Sequence, residues 1–305
     1  MKITHGIEYA AVRLLALPLQ LLPHQSAVTL GARIGRAANN IWISRHRVII
    51  RNLEIAFGDS LSEAEREELA RDIFANLGRT VAEICRFPKL TREDILNMVT
   101  SEGIESFQEV LDYGKGAILV GSHFGNWELA GAYINALGFP VDFLIRGQHN
   151  RLVDNYLTGL RIGPGIRVLH SDRGGMKDII RALHNNRQVA IVSDQHAGSN
   201  GILIKFFGQL VSVPRAPATL AVKLGCPIIS GYIRRNPDNT HLCVFQKPLY
   251  PDPQTEPNAD ILRLTKVYTG RFEDMIRSHP DQWLWTHRRF KPLPGTEQRE
   301  GVYVE

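Results

Sequence analysis

A histidine and a glutamate lie five residues apart in the segment His123-Phe-Gly-Asn-Trp-Glu128. On one continuous helix, side chains with this spacing would point about 140° apart. We expect instead that His123 ends a strand, that Asn126 caps a helix and that Glu128 lies in its first turn. Gly125 permits the tight turn between the two elements. This geometry would bring the carboxylate back to the imidazole, so Glu128 is predicted to orient His123 as a general base.

The same segment offers no serine nucleophile of its own. A nucleophile elbow has the pattern G-x-S-x-G, whereas Gly121-Ser122-His123-Phe124-Gly125 carries its serine at the second position. The chain also has neither a Walker A loop nor a G-x-G-x-x-G fingerprint, which argues against a nucleotide-dependent enzyme. The predicted base therefore acts on a hydroxyl group that belongs to the substrate.

Short apolar strands alternate with helices after residue 116, and this alternation predicts a mostly parallel central sheet flanked by helices. The predicted strands are Ala117–His123, Val141–Arg146, Ile166–His170, Val189–Asp194 and two later segments in Pro227–Arg235 and His241–Leu249. The predicted helices are Ser62–Phe87, Trp127–Leu137, Arg151–Arg161, Met176–Asn185 and Pro217–Leu224. The fold class is therefore α/β, with one continuous catalytic domain over residues 54–305.

Polar side chains follow several of these strands at their carboxyl ends, where ligands bind in open α/β sheets. His123 follows one strand, Arg146 follows the next, and Asp194 and Gln195 follow a later one. We expect these residues to meet at one edge of the sheet. Arg146 and Arg161 are candidates to hold phosphate groups through forked hydrogen bonds, and Asp194 is a candidate to orient an arginine or the acceptor.

A metal-dependent hydrolase is an alternative from a different class. Imidazoles and carboxylates on adjacent strand ends can bind zinc, and four side chains here have that chemistry: His123, Glu128, Asp194 and His196. Their spacing has no compact H-x-x-x-H or H-x-H pair. The three cysteines form no C-x-x-C pair, so neither a cysteine metal site nor a disulfide framework is predicted. We expect no metal and no other cofactor.

Positive charge is concentrated at the N-terminus. Residues 1–53 contain seven Lys or Arg residues and one acidic residue, although the whole chain has a net charge of only +5. The apolar run Gly6–Leu22 is interrupted by Glu8, Arg13 and Gln20, and it falls short of the roughly 20 apolar residues of a membrane span. Interleaved apolar and basic residues favour an anionic membrane surface over nucleic acid. Residues 1–53 are therefore predicted to form a helical membrane-association region.

Several motifs together resemble the lipid A biosynthesis late acyltransferases, a branch of the lysophospholipid acyltransferase superfamily. His123-Phe-Gly-Asn-Trp-Glu128 is similar to the H-x-x-x-x-[D/E] motif of glycerolipid acyltransferases. The other matching segments are Arg51-Asn52-Leu53 with Ala56-Phe57, Phe74-Ala75-Asn76-Leu77 with Glu83, Arg146, Asn150, Arg161, Asp194-Gln195, Phe206-Phe207-Gly208 and Trp283–Lys291. The resemblance implies a glycerolipid-acyltransferase-like fold. It assigns the catalytic pair to His123 and Glu128, and a further essential arginine and aspartate to Arg161 and Asp194.

The resemblance implies transfer of a fatty acyl group from an acyl carrier protein, or from acyl-CoA, to a hydroxyl of a membrane glycolipid. The implied acceptor is a lipid A precursor. Related enzymes that acylate mannosylated or amino-acid-bearing lipids share the Gly-Asn-Trp-Glu form of the motif, so those acceptors remain alternatives. The implied location is the cytoplasmic face of the inner membrane, with peripheral binding or a single N-terminal anchor. A non-catalytic lipid-binding protein is the third alternative.

The C-terminal block Trp283–Lys291 and an aromatic pair carry further expectations. Trp283 and Trp285 alternate with other residues and are predicted to be core anchors on a terminal strand. The basic side chains that follow, Arg288, Arg289 and Lys291, are candidates to face phospholipid headgroups or an acidic carrier protein. Phe206 and Phe207 either line an acyl-chain groove or pack in the core.

Overall fold

The computed structural model describes residues 3–163, 165–171 and 175–292. Within this part of the chain the α-helices are α1 (Ile3–Leu21), α2 (His24–Ile41), α3 (Ile43–Phe57), α4 (Glu63–Arg86), α5 (Arg92–Met98), α6 (Glu105–Tyr113), α7 (Trp127–Ala136), α8 (Arg151–Ile162), α9 (Gly175–His184), α10 (Ala216–Leu224) and α11 (Pro257–Ser278). The β-strands are β1 (Val99–Glu102), β2 (Ala117–Gly121), β3 (Val141–Ile145), β4 (Arg167–His170), β5 (Gln188–Val192), β6 (Ile202–Phe206), β7 (Gln209–Val213), β8 (Ile228–Arg235) and β9 (His241–Phe245).

Seven of the described strands form one sheet in the order β1-β9-β8-β2-β5-β3-β4. Neighbouring strands are parallel except for β8 and β9, which pair antiparallel. Crossover connections between parallel strands place helices on the sheet faces, so the central strands are covered on both sides. The predicted α/β architecture with a mostly parallel central sheet is confirmed.

The central strand β2 shows why the sheet has two cores. Successive side chains of a strand point to opposite faces. Ile118 and Val120 accordingly pack in a core with α3, α10 and α11, whereas Ala117 and Leu119 pack in a second core with α5, α6 and α7. All four side chains are buried, and so β2 reads as a continuous apolar run.

Helix α4 begins as its sequence predicts. The Ser62 hydroxyl accepts from the backbone N–H of Glu65, and the Glu65 carboxylate accepts from the backbone N–H of Ser62 at 2.8 Å. This capping box satisfies N–H groups that the first turn leaves without partners.

Further along, α4 lies against α2 through Gly78 and Gly31, where a Cβ on either glycine would collide with the other's backbone carbonyl. The close approach fixes α2 against α4.

Two regions differ from the sequence-based expectations. Strands β6 and β7 form a separate antiparallel hairpin that the alternation did not reveal. The predicted terminal strand at Trp283 and Trp285 is wrong: a single 3₁₀ turn precedes Trp283, and Trp283 pairs with Phe124 through one isolated bridge. Both indoles are nevertheless buried. A buried irregular segment produces the same apolar alternation as a strand, so the sequence pattern did not distinguish the two.

The N-terminal helices leave large apolar side chains on the surface. On α1 these are Ile7, Leu14, Leu15, Leu17 and Leu21. Among the described helices, none combines the length and the apolar character that crossing a membrane requires. Residues of α3 such as Ile49 and Leu53 belong to the main core. The division of the chain at residue 53 remains a prediction, and residues 293–305 of the predicted catalytic domain lie outside the described part.

Candidate active site

A cleft of about 560 Å³ opens at the carboxyl ends of β2, β3 and β5. Its polar lining includes five residues that the sequence singled out: His123, Glu128, Arg146, Arg161 and Gln195. The structure thus brings these predicted site residues together at one edge of the sheet. The volume is typical of pockets that bind small ligands.

Asp194 lies directly behind His123. Strands β2 and β5 are adjacent and parallel, with Gly121 opposite Val192. The residues that follow each strand therefore also lie side by side. The Nδ1 atom of His123 is 2.7 Å from Oδ1 of Asp194. An ionised carboxylate can only accept a hydrogen bond, so Nδ1 carries the proton and Nε2 of the neutral ring is left as the basic nitrogen.

The second carboxylate oxygen of Asp194 is held by three donors. Oδ2 accepts from the Ser122 hydroxyl, from the backbone N–H of His123 and from the Trp283 indole N–H, each at 2.8 Å. Although burial alone would raise the pKa of Asp194, the His123 imidazole and these donors hold it well below its usual range. Asp194 is therefore a fixed, ionised partner for the imidazole.

The acid–base properties of His123 follow from this partner. Burial alone would lower the pKa of His123, but the charge of Asp194, its hydrogen bond and the charge of Glu128 raise that pKa above its ordinary value of 6.5. The side chain keeps 22% of its surface exposed, so the ring reaches the cleft. Trp127 packs edge-on against it, with ring centroids 5.1 Å apart. The ring is thus fixed in position and still accessible.

The expectation that Glu128 holds the imidazole of His123 is wrong. Glu128 lies in the first turn of α7, and its two oxygens accept from Nε and Nη2 of Arg161 at 2.8 and 2.6 Å. Burial lowers the pKa of Arg161, but this forked pairing raises it above its usual value. The backbone turn carries the carboxylate toward α8, while Asp194 occupies the position beside Nδ1. Toward His123, Glu128 contributes its negative charge, which favours a raised pKa of the imidazole.

A buried cluster holds the loop between His123 and Glu128. Asn126 caps α7 by accepting from the backbone N–H of Leu129 at 3.0 Å, and its amide donates to Oε2 of Glu83 at 2.7 Å. Glu83 in turn accepts a forked pair of hydrogen bonds from Arg235. Burial would raise the pKa of Glu83, but Arg235 lowers it to about 2. The family resemblance included Glu83 but assigned it no role, and the sequence analysis did not identify Arg235 as a candidate.

Gly125 is the turn residue that the motif predicts. Its φ of 56° is unfavourable for residues with a side chain, and a Cβ there would collide with the carbonyl oxygen of Ile233. Its N–H donates to the carbonyl of Gln282 at 2.9 Å. The loop therefore lies against both β8 and the C-terminal segment.

The inner part of the cleft is apolar. It is lined by α7, β3, β8 and β9, through Ile134, Phe143, Ile145, Ile233 and Phe245. Gly131 on α7 leaves room here for the ring of Phe143, which a Cβ would meet at 2.8 Å. A polar mouth with His123 thus leads into an apolar interior.

Two expectations about other residues are settled. Arg289 does not face headgroups or a carrier protein, because its guanidinium is buried and donates to the carbonyl of Ser212 at 2.6 Å. Phe206 and Phe207 pack in the main core, so the core interpretation of this pair is correct.

Among the described residues, no group of three or more His, Cys, Asp or Glu side chains could hold a metal ion.

Residues 3–292 match the family model described as bacterial lipid A biosynthesis acyltransferase. The chain is 28% identical to the lipid A biosynthesis lauroyltransferase of Escherichia coli over 90% of its length and 88% of that protein. It is 23% identical to the phosphatidylinositol mannoside acyltransferase of Mycolicibacterium smegmatis over 71% of its length and 70% of that protein. A solved 1-acyl-sn-glycerophosphate acyltransferase from Thermotoga maritima aligns with a TM-score of 0.36 and 15% identity over 78% of this chain and 97% of that chain. Because the family model covers nearly the whole chain, the protein belongs to the bacterial lipid A biosynthesis acyltransferase family.

Proposed function

We propose that the protein transfers a fatty acyl group from a thioester donor to a hydroxyl of a membrane glycolipid, with a lipid A precursor as the acceptor. The observation that carries this proposal is the His123 imidazole, backed by the buried Asp194 carboxylate, at the mouth of a cleft with an apolar interior. An apolar interior suits an acyl chain, and a polar mouth suits the reacting carbonyl. Family membership supports the same reaction.

In the proposed mechanism, Nε2 of His123 takes the proton from the acceptor hydroxyl as its oxygen attacks the thioester carbonyl. The resulting tetrahedral oxyanion collapses, the carbon–sulfur bond breaks, and the imidazolium returns the proton to the departing thiolate. The products are an ester and a thiol, and the histidine is neutral again. Asp194 is a positioning residue: it holds the reactive tautomer and stabilises the imidazolium.

The other polar residues of the cleft have proposed roles in binding. Glu128 holds the Arg161 guanidinium at the cleft by its forked pair of hydrogen bonds. Arg146 is exposed at the cleft mouth, where its guanidinium is available to a phosphate of the donor or the acceptor. Gln195 lies next to Asp194 in the lining and offers both an amide donor and an acceptor. These residues would place the substrates relative to His123.

We also propose peripheral binding to the cytoplasmic face of the inner membrane, with an acyl carrier protein as the acyl donor. The exposed apolar side chains of α1 and those at the α2–α3 junction, Ile41, Trp42 and Ile43, support an interfacial surface. The exposed Arg47 lies nearby on α3. Such interleaved apolar and basic residues are typical of segments that lie in a membrane interface.

The function is tested with purified protein, radiolabelled acyl-carrier-protein donor and two acceptors, a lipid A precursor and a phosphatidylinositol mannoside. We expect transfer to the lipid A precursor, and we expect His123→Ala to reduce it by about 10²–10⁴-fold because general-base catalysis contributes that much. Transfer only to the mannoside would replace the acceptor assignment. Near-normal transfer by His123→Ala would overturn the mechanism.

A further inference from the structure

A second cavity, of about 640 Å³, lies at the carboxyl end of β8, beside the active-site cleft, and is rich in arginine. Its lining includes five guanidinium-bearing residues: Arg33 and Arg36 on α2, Arg79 on α4, and Arg234 and Arg235 at the end of β8. Among the described residues that line it, Asp281 is the single carboxylate. The cavity is therefore strongly basic.

The cavity is separate from the cleft although the two are neighbours. Tyr232 and Ile233 line the cleft, whereas the next two residues, Arg234 and Arg235, line the arginine cavity. Two residues of extended strand span roughly 7 Å. None of the polar residues assigned to the acyl-transfer site lines this second cavity.

The guanidinium groups of the cavity are unequally paired. Arg235 is bound by the buried Glu83, and Arg36 binds Asp72 at 2.8 Å. Arg33 and Arg79 form no hydrogen bond or ion pair with any described residue. Burial, together with the positive charges of Arg235 and Arg36, lowers the pKa of Arg79, although the charges of Asp72 and Asp281 act in the opposite direction. These like charges repel one another, and a bound anion would relieve that repulsion.

The donor chemistry suits a phosphate monoester. Each guanidinium presents N–H groups in a planar fork that matches two phosphate oxygens. A phosphate monoester is a dianion above its second pKa of about 6, and its three terminal oxygens accept from several forks together. Arg33 and Arg79, on two different helices, provide such forks around one cavity.

Helix α2 connects this cavity to a lipid surface. Thr29, Ala32, Arg33 and Arg36 follow helical spacing and line the cavity. Counted from Arg33, Ile34 and Ile41 lie about 100° and 80° around the same helix, and both are exposed, as is Trp42 at its end. If these apolar side chains entered a bilayer, the arginines on the neighbouring side of the helix would lie near its headgroups. A soluble phosphate would require no such apolar face.

We propose that the arginine cavity binds the phosphomonoester headgroup of a membrane lipid, at a site distinct from the acyl-transfer cleft. The site would hold a lipid phosphate beside the end of β8, which lines both cavities. Binding there requires no acyl transfer, so it goes beyond the proposed reaction.

The test measures binding of the full-length chain to vesicles of phosphatidylcholine that contain phosphatidic acid, a phosphomonoester. The comparison vesicles contain phosphatidylglycerol, a phosphodiester, in the amount that gives the same surface charge. We expect tighter binding to phosphatidic acid. The variant Arg33→Gln/Arg79→Gln should lose about tenfold in affinity for those vesicles and with it the preference.

A matched control removes the same charge elsewhere. Lys205 on β6 and Lys266 on α11 are exposed and outside the cavity, so Lys205→Gln/Lys266→Gln should keep the preference. The single variant Arg33→Gln changes only an exposed side chain and should lose part of the preference for phosphatidic acid. It keeps the test valid if the double variant does not fold. Circular dichroism and thermal unfolding compare the folds.

The remaining outcomes decide the source of the phosphate. If inorganic phosphate raises the melting temperature of the wild type but not of Arg33→Gln/Arg79→Gln, and both bind vesicles alike, the cavity takes a soluble phosphate and the lipid proposal is overturned. It is equally overturned if the wild type does not distinguish the two vesicles or if the double variant keeps the preference. His123→Ala should bind like the wild type, so failure of the acyl-transfer mechanism is recognised separately.

Discussion

Two buried carboxylates flank the His123–Glu128 loop, and their partners differ. Asp194 contacts His123, whose ordinary pKa is 6.5 and whose ring reaches the cleft. Glu83 contacts two buried side chains, Arg235 and His241. Both carboxylates are ionised, but only Asp194 has a partner whose ring is exposed to the cleft. The comparison teaches that a perturbed carboxylate indicates catalysis only when its partner titrates and is accessible.

The largest expected effect comes from Asp194→Asn. An amide in this position no longer stabilises the imidazolium and can hold the wrong tautomer of His123. We expect kcat/KM for acyl transfer to fall by about 10²–10⁴-fold, with thermal unfolding still cooperative. Steady-state kinetics with the labelled donor measure it. If this variant kept most of its activity, the distinction between the two carboxylates would be lost.

Glu83→Gln should act on stability. Removing one partner of a buried ion pair leaves Arg235 without its counter-charge, which typically costs about 3–5 kcal/mol. The folded-state pKa of Glu83 is about 2 against an ordinary value of 4.5. Its stabilising contribution is therefore present above pH 4.5 and is lost as the pH falls toward 2.

Urea unfolding of the wild type and Glu83→Gln tests this difference at neutral and acidic pH. Glu54→Gln is the control, because Glu54 forms a surface ion pair with Arg51 and such pairs contribute about 0–1 kcal/mol. A Glu83→Gln variant as stable as the wild type at neutral pH would show that the buried cluster is not structural.

Arg161→Lys tests a third pair, Glu128 with Arg161, which lines the cleft. A lysine retains the charge and loses the forked geometry with Glu128. We expect a loss of about 10–100-fold in kcat/KM, since a small misplacement of positioning groups has effects of that size. Arg181→Lys, in an exposed pair with Asp178, is the matched control. Equal activity of both variants would exclude a positioning role for the fork.

The smallest expected effect is a displaced pH profile. The base must be neutral, so kcat/KM should fall as the pH decreases through a pKa above 6.5. Because the charge of Glu128 contributes to the raised pKa, Glu128→Gln should move this midpoint to lower pH. Initial rates across the neutral range measure it. A midpoint that stays unchanged would show that Glu128 does not act on His123 through its charge.

Much of the fold was predictable because it depends on local patterns. The strands β2, β3 and β5 are short apolar runs. The carboxyl ends of parallel strands lie at one edge of a sheet, and this brings His123 and Asp194 together. The pairing of carboxylates with their partners was not predictable. It depends on the direction in which Glu128 leaves α7 and on Trp283, which reaches Asp194 from 89 residues away. No periodicity in the sequence records such a contact.

The bond from the Trp283 indole to Asp194 has a consequence for biosynthesis. The strand ends that carry His123 and Asp194 leave the ribosome long before the segment with Gln282 and Trp283. This later segment donates the Trp283 indole N–H to Asp194, and the carbonyl of Gln282 accepts the N–H of Gly125. A growing chain would thus contain His123 and Asp194 before the two bonds that secure them could form. The pair would reach its described geometry only after the segment with Gln282 and Trp283 had been translated.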